Sequence, residues 1–254
     1  MNLFPAPVEI VREKKAKAPQ VSVIVTLYNY GHYLDACLDS IRAQTQGDIE
    51  LIVIDDCSTD GGLGIAVRWL ARNEDALAGY RLLHHTKNMG LSYARNTAFA
   101  HTGARYVFVM DADNMLYPPA IARCLEAIKA SGAAAAYTQL EFFDERQAIG
   151  LADFWSKERL KRANYIDAMA LVDKTAWEKV GGYTQLMATG WEDYDFWCKF
   201  VEHDLSAVFI PEVLCRYRWH GKSMSLTETI PNAGALVLEM SMRHPWLELP
   251  AYAP

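Results

Sequence analysis

Carboxylates recur in this chain directly after apolar, β-branched runs. Asp55-Asp56 follows the run 51–54, and Asp111-Ala112-Asp113-Asn114 follows 106–110. Two other runs also end in polar sequence. The run 21–27, with Thr26 near its end, leads into Tyr28-Asn29, and 81–85 leads through Lys87-Asn88-Met89-Gly90 to Arg95-Asn96. Two aspartate oxygens beside a diphosphate make a hard, all-oxygen site of the kind Mg2+ or Mn2+ takes. A lone Asp-x-Asp is weak evidence, because short motifs arise by chance, and the chain holds a second one at Asp193-Tyr194-Asp195. Asp ahead of Pro118 also serves as a turn former. What sets Asp111 and Asp113 apart is their place after a strand-like run, on the same rim as the other polar ends.

The elements that must position these residues alternate. The run Val21–Leu27 is nearly all apolar, as is 51–54, which suits strands buried on both faces of a parallel sheet. The runs 81–85, 106–110 and 134–139 complete five strands. Helical spacing appears over 32–45 (Leu34, Leu38 and Ile41, with Cys37 beside them), 64–73, 91–101 and 118–130, the last opened by Pro118-Pro119. Alternation with short connections predicts an α/β domain with a mostly parallel, twisted sheet flanked by helices. Ligands bind such sheets at the carboxyl ends of the strands, where the polar residues gather. The second half is less regular. Residues 141–162 show no period, 165–172 reads as a strand, and 174–180 as a helix stopped by Gly181-Gly182. Residues 193–203 read as helix, and 206–210 and 215–219 as short strands. Residues 1–20, with three prolines and Arg12, Lys14, Lys15 and Lys17, read as a solvated arm, and the signal weakens after 225.

Composition removes several function classes. The chain has 254 residues, 51% hydrophobic, and a formal net charge of -6. An acidic chain without a long basic run is a poor nucleic-acid binder. No apolar stretch approaches the ~20 residues of a membrane span, and no secretory leader is evident at the N-terminus. The five cysteines are odd in number and widely spaced, which argues against a disulfide framework or a zinc site and for reduced thiols in a cytoplasmic protein. The Gly-x-Gly-x-x-Gly fingerprint is absent after the first strand, and there is no Walker loop, so dinucleotide and P-loop enzymes are disfavoured.

Taken in order, the segment from Val21 to Asn29, then Val53-Ile54-Asp55-Asp56-Cys57-Ser58-Thr59-Asp60, Asn88-x-Gly90 with Ala94-Arg95-Asn96, and Asp111-Ala112-Asp113 closely resemble family 2 glycosyltransferases. Further on, Val180-Gly181-Gly182-Tyr183, Gly190-Trp191-Glu192-Asp193 and Tyr217-Arg218-Trp219-His220-x-x-Ser223 resemble the same family. The ordered set carries more weight than any single motif. The resemblance covers about residues 21–225. It implies a GT-A (Rossmann-like) domain, with a nucleotide-binding half (21–139) and an acceptor-binding half (140–225), between an N-terminal arm (1–20) and a C-terminal tail (226–254).

The resemblance also implies a nucleotide-diphospho-sugar donor, with UDP the commonest, Mn2+ or Mg2+, and inversion at the anomeric carbon. Carried over by position, Thr26 and Tyr28 would line the nucleoside pocket. Asp56 would accept a hydrogen bond from the base, supported by Asp55, and Arg95 would lie near the phosphates or base. Asp111 would approach ribose and metal, Asp113 would ligate the metal, and His220 would be a further metal or diphosphate contact. Asp193 would be the general base, flanked by Glu192, with Gly190 and Trp191 on the acceptor side. Carboxylates opening an apolar-periodic helix also complement its dipole, so Glu192 and Asp193 have a purely structural reading as well. The acceptor would be a saccharide, lipid-linked or protein hydroxyl, which leaves room for peripheral contact at the inner membrane face. Two alternatives remain. A sugar-nucleotidyltransferase would want a Gly-rich basic loop where Tyr28-Asn29-Tyr30 stands. An inactive nucleotide-sugar-binding module would have no use for Asp113, Glu192 and Asp193 together.

Overall fold

All seven residues of β2 (Val21–Leu27) and all seven of β3 (Ile49–Asp55) are buried, as near-continuous apolar runs require. The computed structural model describes residues 7–250; residues 1–6 of the expected arm and 251–254 of the expected tail lie outside the described residues. Successive side chains of a strand face opposite ways, and the core divides accordingly. Val21, Val23, Val25 and Leu27 pack with α1 (Gly31–Arg42), α2 (Gly62–Asn73) and α4 (Ala120–Ser131). Ile24, Ile52 and Ile54 pack on the other face with α3 (Leu91–Ala100), α6 (Lys174–Lys179), α7 (Glu192–Glu202) and α8 (Ala233–Arg243). A short helix, α5 (Lys157–Leu160), lies in the irregular stretch.

Among the described residues the sheet has ten strands, in the order β1-β4-β3-β2-β5-β9-β7-β10-β6, with β8 beside β7. The strands not yet placed are β1 (Val8–Lys14), β4 (Gly79–His85), β5 (Tyr106–Asp111), β6 (Met115–Leu116), β7 (Ala135–Asp144), β8 (Ala148–Ile149), β9 (Ala170–Asp173) and β10 (Ala207–Trp219). β4, β3, β2 and β5 run parallel, and β10 runs parallel to β7. The expected fifth strand does not pair with β5. β9 stands between them, antiparallel to both. Of the stretch 165–172 read as strand, only its end pairs, and Asp173 ends the strand by capping α6, accepting a hydrogen bond from the Thr175 N–H. The register aligns the strand ends in one row: Thr26 sits opposite Ile54 and Asp111, and Leu27 and His84 flank Asp55.

Both ends of the described chain are more ordered than the sequence reading anticipates. Part of the basic arm forms β1, antiparallel to β4 at the sheet edge. Arg12 bonds Tyr80 and Glu74, and Lys14 bonds the Glu74 carbonyl, so these cations are engaged within the fold. Charged residues are normal on an edge strand, where they discourage further pairing. Beyond residue 225, a π-helical turn (Ser225–Thr229) precedes α8, whose Leu236 and Met240, one turn apart, are fully buried.

A buried polar cluster fastens α8 to α7. Asp195 is bonded by Arg243 and His244 and ion-paired with Lys199, and His244 also bonds Glu202. Burial opposes ionisation of both Asp195 and His244, but the mutual contacts outweigh it, lowering the Asp195 pKa and raising that of His244. A raised histidine stabilises the fold below its unfolded pKa and loses that contribution as pH rises through the folded value; a lowered carboxylate stabilises above its unfolded pKa and loses it in acid. With unfolded values of about 3.9 and 6.5, the latch is fully present between them. His244→Gln is therefore expected to lower the melting temperature most near pH 5 and progressively less above neutrality, measured by thermal denaturation at several pH values. A constant difference across this range would exclude the charged latch.

Candidate active site

The carboxyl ends of β2, β3 and β5 open into a cleft of about 440 Å³, within the range of small-molecule sites. Thr26, Tyr28, Asp56, Asp111, Asp113, Gly190 and Glu192 all line it, although they are spread over more than 160 positions of the sequence. The remaining expected residues stand behind its wall. Asp55 is fully buried, bonded by the Ser58 N–H and by His84 at 2.9 Å. His220 is buried behind Asp113, its Nε2 3.3 Å from Asp113 Oδ2. Trp191 is half-buried and packs edge-on against Tyr194.

Arg95 differs most from what the resemblance implies. Its guanidinium is not presented to the cleft. It is 1% exposed, and bonds Glu192 Oε1 at 2.7 Å and both Asp111 oxygens at 3.0 and 3.1 Å. Arg95 therefore acts on the cleft through these two carboxylates, joining the end of β5 to the start of α7. Thr26 donates a further hydrogen bond to Asp111 at 2.7 Å. The neighbouring Asn96 is structural, holding the Tyr183 backbone and the Trp177 indole.

Backbone geometry delivers Glu192 and Asp193. Gly190 has φ +115°, and a Cβ there would lie 2.3 Å from Thr229 Oγ1, so only glycine lets the loop pass the π-helical turn. Trp191 follows at φ +58° and starts α7. The two carboxylates then meet opposite environments. Glu192 is paired with Arg95. Asp193 accepts from Asn164 and from the Tyr194 N–H, and among the described residues no cation is in ion-pair contact with it. Burial raises the Asp193 pKa, and the charges of Glu192 and Asp167 push it further up against the pull of Arg95. Asp167, itself pushed up to about 6 chiefly by burial, escaped the sequence reading: it lies far from any motif and only the fold brings it here.

Among the described residues no three His, Cys, Asp or Glu side chains converge as a self-sufficient metal cage. The expected set reduces to Asp113 and His220 in contact, with Asp111 alongside. Burial raises the Asp113 pKa, and Asp111 adds to this against His220. Two carboxylates sharing a poorly hydrated wall are what a divalent cation would compensate, and Mg2+ is commonly held by one or two carboxylates together with substrate phosphates. The residues thus fit a cation bound jointly with a diphosphate. The far wall includes Lys222 and Ser223 and, from the stretch assigned to the tail, Thr227 and Glu228. Ser223 Oγ is buried there without a hydrogen-bond partner among the described residues.

A family model described as Glycosyl transferase family 2 matches residues 22–187. Putative glycosyltransferase EpsE of Bacillus subtilis is 27% identical over 224 residues, covering 85% of this chain and 80% of EpsE. Other relatives are longer: the chain spans 23% of an uncharacterized Sinorhizobium fredii protein to which it is 29% identical over 218 residues. The mannosyltransferase PcManGT of Pyrobaculum calidifontis, solved in complex with GDP-Man and Mn2+, superposes with a TM-score of 0.70 at 21% identity, covering 94% of this chain and 66% of that one. TarS of S. aureus, solved in complex with UDP-GlcNAc, gives 0.67 at 15% identity, covering 80% and 60%. These likenesses establish the fold as the GT-A type.

Proposed function

The chain belongs to glycosyl transferase family 2, and from that premise we propose that it moves a sugar from a nucleotide-diphospho-sugar, with UDP as leaving group, to an acceptor hydroxyl by one inverting displacement. The observation that carries this reading is the division of labour among Asp111, Asp113 and Glu192, which line the cleft, and Asp193, which follows Glu192 on α7. Asp111 and Asp113 stand at one end of the wall, and Glu192 is neutralised by Arg95. Asp193, beside Glu192 at the start of α7, combines a raised proton affinity with no cation in ion-pair contact among the described residues.

A divalent cation held by Asp113, with His220 and Asp111 beside it, would neutralise charge developing on the leaving diphosphate. Asp56 receives the base, and Tyr28, 47% exposed at the cleft, offers a ring face to it. Ser223 Oγ gains a partner from a phosphate oxygen, which relieves a buried unsatisfied hydroxyl. On the acceptor side, Asp193 takes the proton from the attacking hydroxyl as the bond forms, while Gly190 and Trp191 border the acceptor. A single displacement needs no carboxylate nucleophile, unlike a retaining glycosidase with its two close carboxylates. The acceptor is a saccharide, lipid-linked or protein hydroxyl, and among the described residues no helix is long and apolar enough to cross a membrane.

A thermal-shift screen of nucleotide sugars with Mn2+ tests the proposal. A UDP-sugar at 100-fold its Kd is expected to stabilise the fold by about 2.7 kcal/mol, and no shift with any nucleotide sugar would refute the donor assignment. Excess EDTA is expected to lower donor turnover about tenfold or more through loss of charge neutralisation; full turnover in EDTA would remove the metal. Asp56→Ala is expected to weaken UDP binding by about tenfold, the worth of one charge-assisted hydrogen bond, as read by calorimetry.

A further inference from the structure

Behind Asp56 stands a histidine that the glycosyltransferase reading does not use. His85, at the end of β4, is completely buried, with Nδ1 2.6 Å from Asp56 Oδ1 and Nε2 3.0 Å from Thr97 Oγ1. An ionised carboxylate only accepts, so Nδ1 carries the proton, and the Thr97 hydroxyl meets the other nitrogen from α3. Asp56 Oδ1 accepts a second hydrogen bond from the Met89 N–H at 2.9 Å. Among the described residues, Asp56 Oδ2 accepts only from the Gly90 N–H, at 2.8 Å. That approach uses the positive φ of Gly90, +88°. The two oxygens are therefore unequal. Oδ1 is filled by two donors from the protein, and Oδ2 has capacity left.

We propose that His85 is a positioning residue which, by filling Asp56 Oδ1, leaves the carboxylate one acceptor for the donor's base and so selects uracil or thymine over guanine. Uracil and thymine present one imino N–H between two carbonyls. Guanine presents an imino N–H and an adjacent amino group, and satisfying both on one carboxylate needs both oxygens. Thr97 keeps the imidazole from turning, and the backbone of residues 89 and 90 holds the carboxylate from the other side. This inference rests on the reading of the cleft as a nucleotide site with Asp56 at the base.

Calorimetry with UDP and GDP as probes, in the presence of Mn2+, decides it. The intact protein is expected to bind UDP about tenfold or more tighter than GDP, the discrimination that an unsatisfied buried donor imposes. In His85→Leu, UDP affinity is expected to fall about tenfold, as befits a charge-assisted bond, and the UDP:GDP ratio to shrink toward one. His85→Asn, whose amide nitrogen can stand where Nδ1 stands, should recover both quantities. The donor KM should follow the affinity while kcat at saturating donor holds, a split that a loss of general structural integrity would not produce. GDP binding as tight as UDP in the intact protein would overturn the proposal while leaving the nucleotide site in place. So would a folded His85→Leu protein with unchanged affinity and ratio. Absence of binding by either nucleotide would overturn the underlying reading and the proposal together. Should the leucine variant not fold, the intact protein's ratio and the asparagine variant decide.

Discussion

Asp193→Asn is expected to lower turnover by about 10²-fold or more, the usual contribution of a positioned general base being 10²–10⁴-fold, with donor affinity unchanged. The amide keeps the side chain's size and its contact with Asn164 but cannot take the acceptor's proton. The environment explains why Asp193 and not Glu192 is the group to change. Glu192 is bonded to Arg95 at 2.7 Å, so its carboxylate is already engaged by a buried cation. Asp193 faces Glu192 and Asp167, and its pKa is raised by burial and by those charges. Rate loss in the asparagine variant should be matched by loss of the acid limb of the pH–rate profile, which in the intact protein lies above the ordinary carboxylate range. Glu192→Gln, in contrast, should disturb stability and donor geometry together, because it replaces a charged partner of the buried Arg95 with a neutral one. Single-turnover rates for the two variants, with calorimetric UDP affinity alongside, separate the roles; near-normal turnover in Asp193→Asn would move the base elsewhere.

Arg95→Met is expected to destabilise the fold by about 3–5 kcal/mol, the cost of removing one partner from a buried ion pair. Methionine fills similar space, so the loss is electrostatic. Asp111 and Glu192 would be left facing each other across a poorly hydrated gap, with the Tyr183 ring, 5.3 Å from the guanidinium, losing its cation as well. The Asp111 side chain retains 26% exposure, so water offsets part of the penalty and the lower end of the range is the better expectation. Lysine at this position should recover only part, since a point charge cannot bond both carboxylates in the planar fork geometry. Denaturant unfolding of Arg95→Met, Glu192→Gln and the double variant checks this. The double variant should be more stable than Arg95→Met alone, because one stranded charge has been removed; a loss below about 1 kcal/mol in Arg95→Met would mean the pair is solvated after all.

Much of this was legible in the residues. β2 and β3 announce themselves because burial on both faces demands unbroken apolar runs, and such runs are rare outside a sheet core. The polar residues at their ends mark the rim of the cleft because strand ends in a parallel sheet are where backbone pairing stops and ligands bind. The ordered motifs from Asp55-Asp56 through Asp113 to Glu192-Asp193 then identify the family. β1 was less legible, since an edge strand with one neighbour needs no alternation. β9 was blurred because four residues are too few to carry a period. The π-helical turn and α8 were missed because their apolar anchors, Leu236 and Met240, have meaning only against α7.

The roles within the site divide along the same line. A residue's chemical type and its position after a strand are local properties, so sequence alone determined that Asp56, Asp111, Asp113, Glu192 and Asp193 were the groups to examine. Their charge states and partners depend on distances between segments far apart in the chain, and only the tertiary structure decided those. It turned Arg95 away from the cleft to bridge β5 and α7, left Asp193 without an ion-paired cation among the described residues, brought Asp167 near it, and set His85 behind Asp56. The physical reason is that proton affinity and hydrogen-bond capacity depend on what surrounds a group within a few ångströms, and that surrounding is written in the packing of the whole domain.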